Sequence, residues 1–327
     1  MIKYMNATTL YPSIERLIVE AADHYRLFST DQLPSLRDAR AAYARCRAMV
    51  GLAPGVGQWA TTDETNAKLG LSGIATVGTT YSPGDEPMRV LRMLGDGWRP
   101  VLNGRTITPR LDELHAALDR IGIRIERLTV CPMSTPGCRA GCVIVTAGKG
   151  PTPAVVLGRV ARWLTLVLHP LHAVRLMRDS IECTVRAAGE NHRVRFGVAD
   201  DVRWERVAPV LFAPVDDVAI RAYAYTKWTP DRRRGAMGLE LTYSATREAR
   251  RWSGASVAEA AAAGRRVAVA VDIRKGQPMP TTFHGAPMVD GDASDDRWST
   301  APGVVVGLRA KGAARKDSTG FVFRARA

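Results

Sequence analysis

The sequence predicts an α/β fold built on a largely parallel sheet, and three observations lead to this prediction. First, apolar stretches of strand length recur at about 193–198, 219–225, 239–244, 267–272 and 303–308. Second, helical patterns lie between several of these stretches, and strands that alternate with helices form parallel sheets with right-handed crossovers. Third, 46% of the 327 residues are hydrophobic, which is enough for a sizeable core.

The chain divides into a helical N-terminal extension, residues 1–58, and a main domain, residues 59–327. In the extension, Ser13 precedes a helical apolar pattern and can cap that helix. Ser35, followed by an acidic residue three positions later, predicts the start of a second helix, and Gly51 predicts its end.

Cys46 lies on the apolar stripe of the second helix and is therefore predicted to be a buried core thiol. Residues 59–110 are rich in Gly, Thr and Pro, which predicts short strands or a hairpin. A helix is expected from Leu111 to Ile121, and a long helical region at about 154–187, with a kink at Pro170 because proline lacks a backbone donor.

The stretch 131–142 has the highest density of cysteine in the chain, since three of the five cysteines occur there with the spacing C-x6-C-x3-C. Alternating apolar residues at 121–130 predict a strand that leads into it. Two prolines and two glycines within the stretch predict irregular structure through the cysteines themselves. We therefore expect the thiols of Cys131, Cys138 and Cys142 on a tight loop at the carboxyl end of a strand.

Three close thiols favour a soft metal or an iron–sulfur cluster. Structural zinc usually takes four ligands in two short pairs, and no second pair is present, so iron–sulfur is preferred and zinc is the alternative. Cys183 or His284 is a candidate fourth ligand. The remaining interpretation is three reduced structural cysteines in a turn.

Polar residues at the predicted carboxyl ends of the later strands form a second set of candidates, because ligands of parallel sheets bind at those ends. Asp200 and Lys227 are the candidate catalytic residues. The candidate cofactor-binding residues are Asp201, Thr226, Ser244, Arg309 and Lys311. Asp272 also ends a predicted strand.

The formal charge of +14 and a pI near 10.1 favour an anionic partner, nucleic acid or nucleotide first. A GC-rich genome, which enriches arginine, is the alternative explanation of this composition. The N-terminal residues predict no signal peptide, and no apolar run is long enough to span a membrane. Few, clustered cysteines of odd number favour the reducing cytoplasm.

The cysteine loop and several later segments carry a resemblance to known families. The loop resembles that of radical S-adenosylmethionine proteins, although their usual spacing is C-x3-C-x2-C, and is more similar to loops of uncharacterised phage families. Those families share a strand that ends in Asp, here Val194–Asp200, and one that ends in Thr-Lys, here Ala222–Lys227. The tail, Val289–Trp298 and Gly303–Gly312, resembles the end of an actinobacteriophage family. The likeness runs from about Asn66 to Gly320.

This resemblance implies a partial (β/α) barrel that holds a 4Fe-4S cluster on Cys131, Cys138 and Cys142. It implies an enzyme of the radical S-adenosylmethionine type that modifies a nucleotide or nucleic acid in the cytoplasm of an infected bacterium. Two alternatives stay open. One is a nucleic-acid-binding protein with a structural metal on the loop. The other is a zinc-dependent base-modifying enzyme, which would lack the usual deaminase signature.

Overall fold

The computed structural model describes residues 13–22, 27–53, 61–62, 74–76, 86–102, 104–121, 131–142, 153–197, 200–236 and 238–324. The helices in these ranges are α1 (Ser13–Ala21), α2 (Leu36–Met49), α3 (Glu86–Gly95), α4 (Leu111–Arg120), α5 (Pro136–Ala140), α6 (Pro153–Leu168), α7 (Pro170–Ala188), α8 (Trp204–Val207) and α9 (Gly254–Ala262). The strands are β1 (Thr61–Thr62), β2 (Ile74–Thr76), β3 (Val101–Leu102), β4 (Arg105–Thr106), β5 (Arg193–Phe196), β6 (Ala222–Thr226), β7 (Leu239–Ser244), β8 (Arg266–Val271), β9 (Thr282–Phe283), β10 (Ala286–Asp290) and β11 (Val305–Arg309).

The main sheet confirms the predicted α/β class. Its strand order is β1-β2-β5-β6-β7-β8-β11-β10-β9, and the seven strands from β2 to β10 in this order pair in parallel. The edge strands β1 and β9 pair antiparallel. The order is linear, and the described strands do not close into a barrel. All five strands predicted between residues 193 and 308 are present.

Helices cover one face of this sheet because the strands place apolar residues there at every second position. Val194, Leu241 and Val269 share a buried core with Trp163 and Leu164 of α6. The other face is closed by polar contacts with residues 291–300. There the Arg195 guanidinium pairs with Asp295, and Arg297 Nε donates to Tyr225 Oη at 2.6 Å.

The N-terminal helices follow the sequence prediction. Ser35 accepts a hydrogen bond from Asp38 N–H at 3.2 Å, which satisfies an amide at the start of α2. Gly51, with φ of +79°, follows the end of that helix, as glycine does at left-handed caps. Cys46 is fully buried, as predicted. Glu15 of α1 binds the buried Arg203 guanidinium at 2.8 Å and so fixes α1 against the segment that follows β5.

The predicted long helical region consists of two helices, α6 and α7, separated at His169. Pro170 stands at the first position of α7, where its missing N–H costs nothing, so the proline starts a helix here instead of bending one. Within the described ranges, none of the helices has the length and apolar character needed to cross a bilayer. The strand predicted at 121–130 lies outside the described residues except for Ile121, which follows the end of α4.

Candidate functional site

The cysteine stretch contains a single helical turn, α5, so the expectation of irregular structure through the cysteines is wrong. Thr135 precedes the turn and its Oγ1 accepts a hydrogen bond from Cys138 N–H at 3.3 Å. Pro136 takes the first helical position, where its fixed φ favours the helix. The Thr-Pro pair therefore starts a helix, and Cys138 lies on it with Cys142 two residues after its end.

Two residues that follow β7 hold this turn in place. The Glu248 carboxylate accepts hydrogen bonds from Gly137 N–H at 2.7 Å and from the Thr135 hydroxyl. The Arg251 guanidinium donates to Met133 O at 2.7 Å. Gly137 fits because it has no side chain: a Cβ there would lie 2.9 Å from Glu248 Oε1 and 2.9 Å from the Cβ of Phe321.

The three loop thiols interact electrostatically with one another and with the strand ends. All five cysteines of the chain are outside disulfides. Burial raises the pKa of Cys131 well above its ordinary value, and negative charge on Asp201, Asp200, Cys138 and Cys142 raises it further. Burial and these neighbouring charges therefore disfavour the thiolate form of Cys131.

Both aspartates after β5 are buried and hydrogen-bonded within the chain. Asp200 Oδ1 accepts hydrogen bonds from Trp204 Nε1 at 3.1 Å and from Val202 N at 3.3 Å. Asp201 receives the Thr226 hydroxyl at 2.6 Å, Lys227 N–H at 2.7 Å and the Arg233 guanidinium at 2.9 Å.

Burial raises the pKa of Asp201 to about 6, although Arg233 and these hydrogen bonds oppose the rise. The Asp201 carboxylate thus joins β6 to the segment that follows β5.

Lys227 is the basic residue of the described site whose charge acts on a loop thiol, that of Cys138. Its Nζ donates to Ser244 Oγ at 2.8 Å and to Ser244 O at 3.1 Å, and lies 4.8 Å from the ring centroid of Phe321. Burial lowers the pKa of Lys227, and negative charge on Cys138, Asp201 and Glu248 opposes that shift. In the same way, burial raises the pKa of Cys138, and Lys227 opposes the rise.

Arg309 and Lys311 end β11 and bind the acidic residues beside it. Arg309 Nη1 lies 2.8 Å from Asp290 Oδ2, and Lys311 Nζ lies 2.5 Å from Asp292 Oδ1. These two basic residues therefore neutralise part of the acidic segment. Asp272 also follows its strand as predicted, and its backbone N–H donates to Phe323 O at 3.2 Å.

The two proposed fourth ligands lie in different surroundings. Cys183 is exposed on α7. His284 packs edge-to-face on Phe283, with ring centroids 4.8 Å apart.

No group of three His, Cys, Asp or Glu side chains in the described ranges is arranged to hold a metal ion. An iron–sulfur cluster has a different requirement, because each cysteine binds a different iron atom and the thiols stand farther apart than around one ion. The donor set fits such a cluster, since one short loop supplies three free thiols, and Cys138 and Cys142 lie close enough to Cys131 to raise its pKa.

Sequence reasoning missed Glu248 and Arg233. The Arg233 guanidinium is buried and binds both Asp201 and Glu205 at 2.9 Å, which links the β6 end to α8. Neither residue belongs to a recognisable local motif, and each binds a partner far away in the sequence. A local signal did exist for Thr135, because Thr followed by Pro is typical of a helix start.

The comparisons with known proteins give one match. A family model described as Gene product 88 matches residues 103–325, which is more than half of the chain and includes the cysteine loop and the strands from β4 to β11. Searches of curated proteins and of solved structures found no match. The match agrees with the predicted phage-type family, whereas the likeness to radical S-adenosylmethionine proteins stays a prediction.

Proposed function

This chain belongs to the Gene product 88 family, a family of phage gene products, and we propose that it is an iron–sulfur protein with a cluster on Cys131, Cys138 and Cys142. We further propose that it is an enzyme of the radical S-adenosylmethionine type, with a partial (β/α) barrel architecture. Its substrate class is a nucleotide or nucleic acid.

One observation carries the proposal: three partly buried thiols lie on one loop and interact electrostatically with two buried carboxylates. Burial and the charges of Asp201 and Asp200 disfavour the thiolate of Cys131. Metal ligation deprotonates cysteine and places positive charge beside the thiolate. The iron atoms of a cluster would therefore offset the unfavourable free energy of a thiolate at this position. Three cysteines also leave one iron without a protein ligand.

When bound, a cluster of this kind supplies the electron that cleaves S-adenosylmethionine. The residues of the chain bind and orient. Lys227 Nζ, held by Ser244, places a positive charge near Cys138, where a carboxylate or phosphate of a ligand can bind. Asp201 holds the Lys227 backbone through its N–H at 2.7 Å, so it acts as a positioning residue.

The test is anaerobic preparation with measurement of the visible spectrum, iron and sulfide. We expect brown protein with iron and sulfide in similar amounts. Cys138→Ser should lose both, because it removes a ligand, whereas Cys183→Ser should keep both, because Cys183 is exposed on a helix outside the loop.

Colourless protein with one zinc would contradict the iron–sulfur proposal. It would instead favour a structural or hydrolytic zinc site on the same loop, and the variant pair would then be measured for zinc. Equal iron in Cys138→Ser and Cys183→Ser would place the metal elsewhere.

A further inference from the structure

Three neighbouring cavities open where β7, β8 and β11 end. Their volumes are about 700, 630 and 750 Å³. The first and second share Arg324, and the second and third share Lys275, Ala310 and Arg315. Because each cavity shares lining residues with the next, together they form one groove, which we call the strand-end groove.

Seven of the nine basic side chains that line the strand-end groove have no carboxylate partner among the described residues. The seven residues are Arg247, Arg250, Arg251, Arg274, Lys275, Arg315 and Arg324. In the described ranges no ion pair includes any of these seven, whereas Arg203 and Arg233 elsewhere in the fold, and Arg309 in the third cavity itself, each bind a carboxylate. The first cavity has four arginines and no acidic residue. The first cavity therefore holds positive charge without an acidic residue in its lining, whereas the second also contains Asp272 and Asp317 and the third Asp290 and Asp292.

The walls of the groove are the segments that hold the cysteine loop. Arg251, in the first cavity, donates to Met133 O within the loop. Ala314, in the second cavity, lies so close to Gly141 that a Cβ on that glycine would stand 2.9 Å from the alanine Cβ. A ligand that follows the groove therefore passes beside the loop.

We infer that the strand-end groove binds the phosphate backbone of a single-stranded nucleic acid and leads it to the cysteine-loop site. The second half of this statement rests on the proposed function, whereas the binding itself does not. Three joined cavities suit a chain of phosphates better than one small anion. A guanidinium group can donate two parallel hydrogen bonds to the oxygens of one phosphate, and its planar surface can stack on a base. The exposed His284 ring in the first cavity offers another planar surface for stacking.

The test is the fluorescence anisotropy of a labelled single-stranded oligonucleotide, as DNA and as RNA, at a series of salt concentrations. If the four arginines of the first cavity each bind a phosphate, the affinity should fall about 50-fold between about 50 and about 200 mM salt. Removing two of these contacts in Arg250→Ala with Arg324→Ala should reduce that fall to about 7-fold and weaken binding at low salt.

The matched control is Arg37→Ala with Arg265→Ala. Both residues are exposed, one on α2 and one at the amino end of β8, so the net charge changes equally away from the groove. The control should bind as the unchanged protein does, and circular dichroism should show that both double variants are folded.

An unchanged affinity and salt dependence in the Arg250→Ala, Arg324→Ala protein would overturn the inference. So would equal competition by polyglutamate or by anionic phospholipid vesicles, which would indicate a different polyanion. Cys138→Ser separates the two proposals, because it should bind the oligonucleotide normally even when it carries no iron. If the unchanged protein carries iron but does not bind the oligonucleotide, the groove inference is refuted and the proposed cluster is not.

Discussion

The cysteine loop depends on Glu248, and replacing this residue tests that dependence. In Glu248→Ala the Gly137 N–H and the Thr135 hydroxyl lose the carboxylate that accepts their hydrogen bonds. Glu248 is only 7% exposed, so water replaces the carboxylate poorly. A hydrogen bond to a charged group contributes about 1.5–3 kcal/mol, and the two are not independent, so we expect a loss of about 3 kcal/mol in the free energy of unfolding.

The conservative variant separates charge from shape. Glu248→Gln keeps one oxygen acceptor but presents an amide donor to the second partner, so its loss should be smaller, about 1–2 kcal/mol. Glu259→Ala, an exposed glutamate of α9, is the control and should stay within about 0.5 kcal/mol of the unchanged protein.

The assay is urea unfolding of metal-free protein, followed by far-ultraviolet circular dichroism. Working without metal keeps the result independent of the proposed cofactor. If Glu248→Ala unfolds at the same urea concentration as Glu259→Ala, the carboxylate does not hold the loop, and our account of the site is refuted.

Two further predictions concern titratable groups. His192 accepts Arg221 N–H at its Nε2 (2.9 Å), and burial lowers its pKa, so the unfolding free energy should fall as pH drops below about 6.5, by up to about 1.4 kcal/mol per pH unit. In His192→Gln the free energy of unfolding, measured at a series of pH values, should depend less steeply on pH. An unchanged dependence would show that other groups cause it. Burial raises the pKa of Cys46 to about 11, so a thiol reagent should modify exposed Cys183 first and Cys46 only after unfolding; early labelling of Cys46 would contradict its buried position.

The sequence alone was sufficient for features set by neighbours along the chain. Strand positions followed from short apolar stretches, and the ends of α2 followed from Ser35 and Gly51, because caps and periodicity involve residues only a few positions apart. The placement of Asp201, Thr226 and Lys227 at strand ends followed from the same patterns. Even within this local range one rule competed with another: Pro136 starts a helix that we expected it to prevent.

The tertiary structure decided the strand order and the long-range partners. β11 lies between β8 and β10, an order that no local pattern encodes, and this order brings the ends of β8 and β11 together at one groove. Glu248 meets Thr135 across 113 residues, and Arg233 meets Asp201 across 32. Periodicity reports which face of an element is buried, whereas contacts between elements depend on how all the faces pack at once, and that requirement places the arginines of the groove beside the cysteine loop.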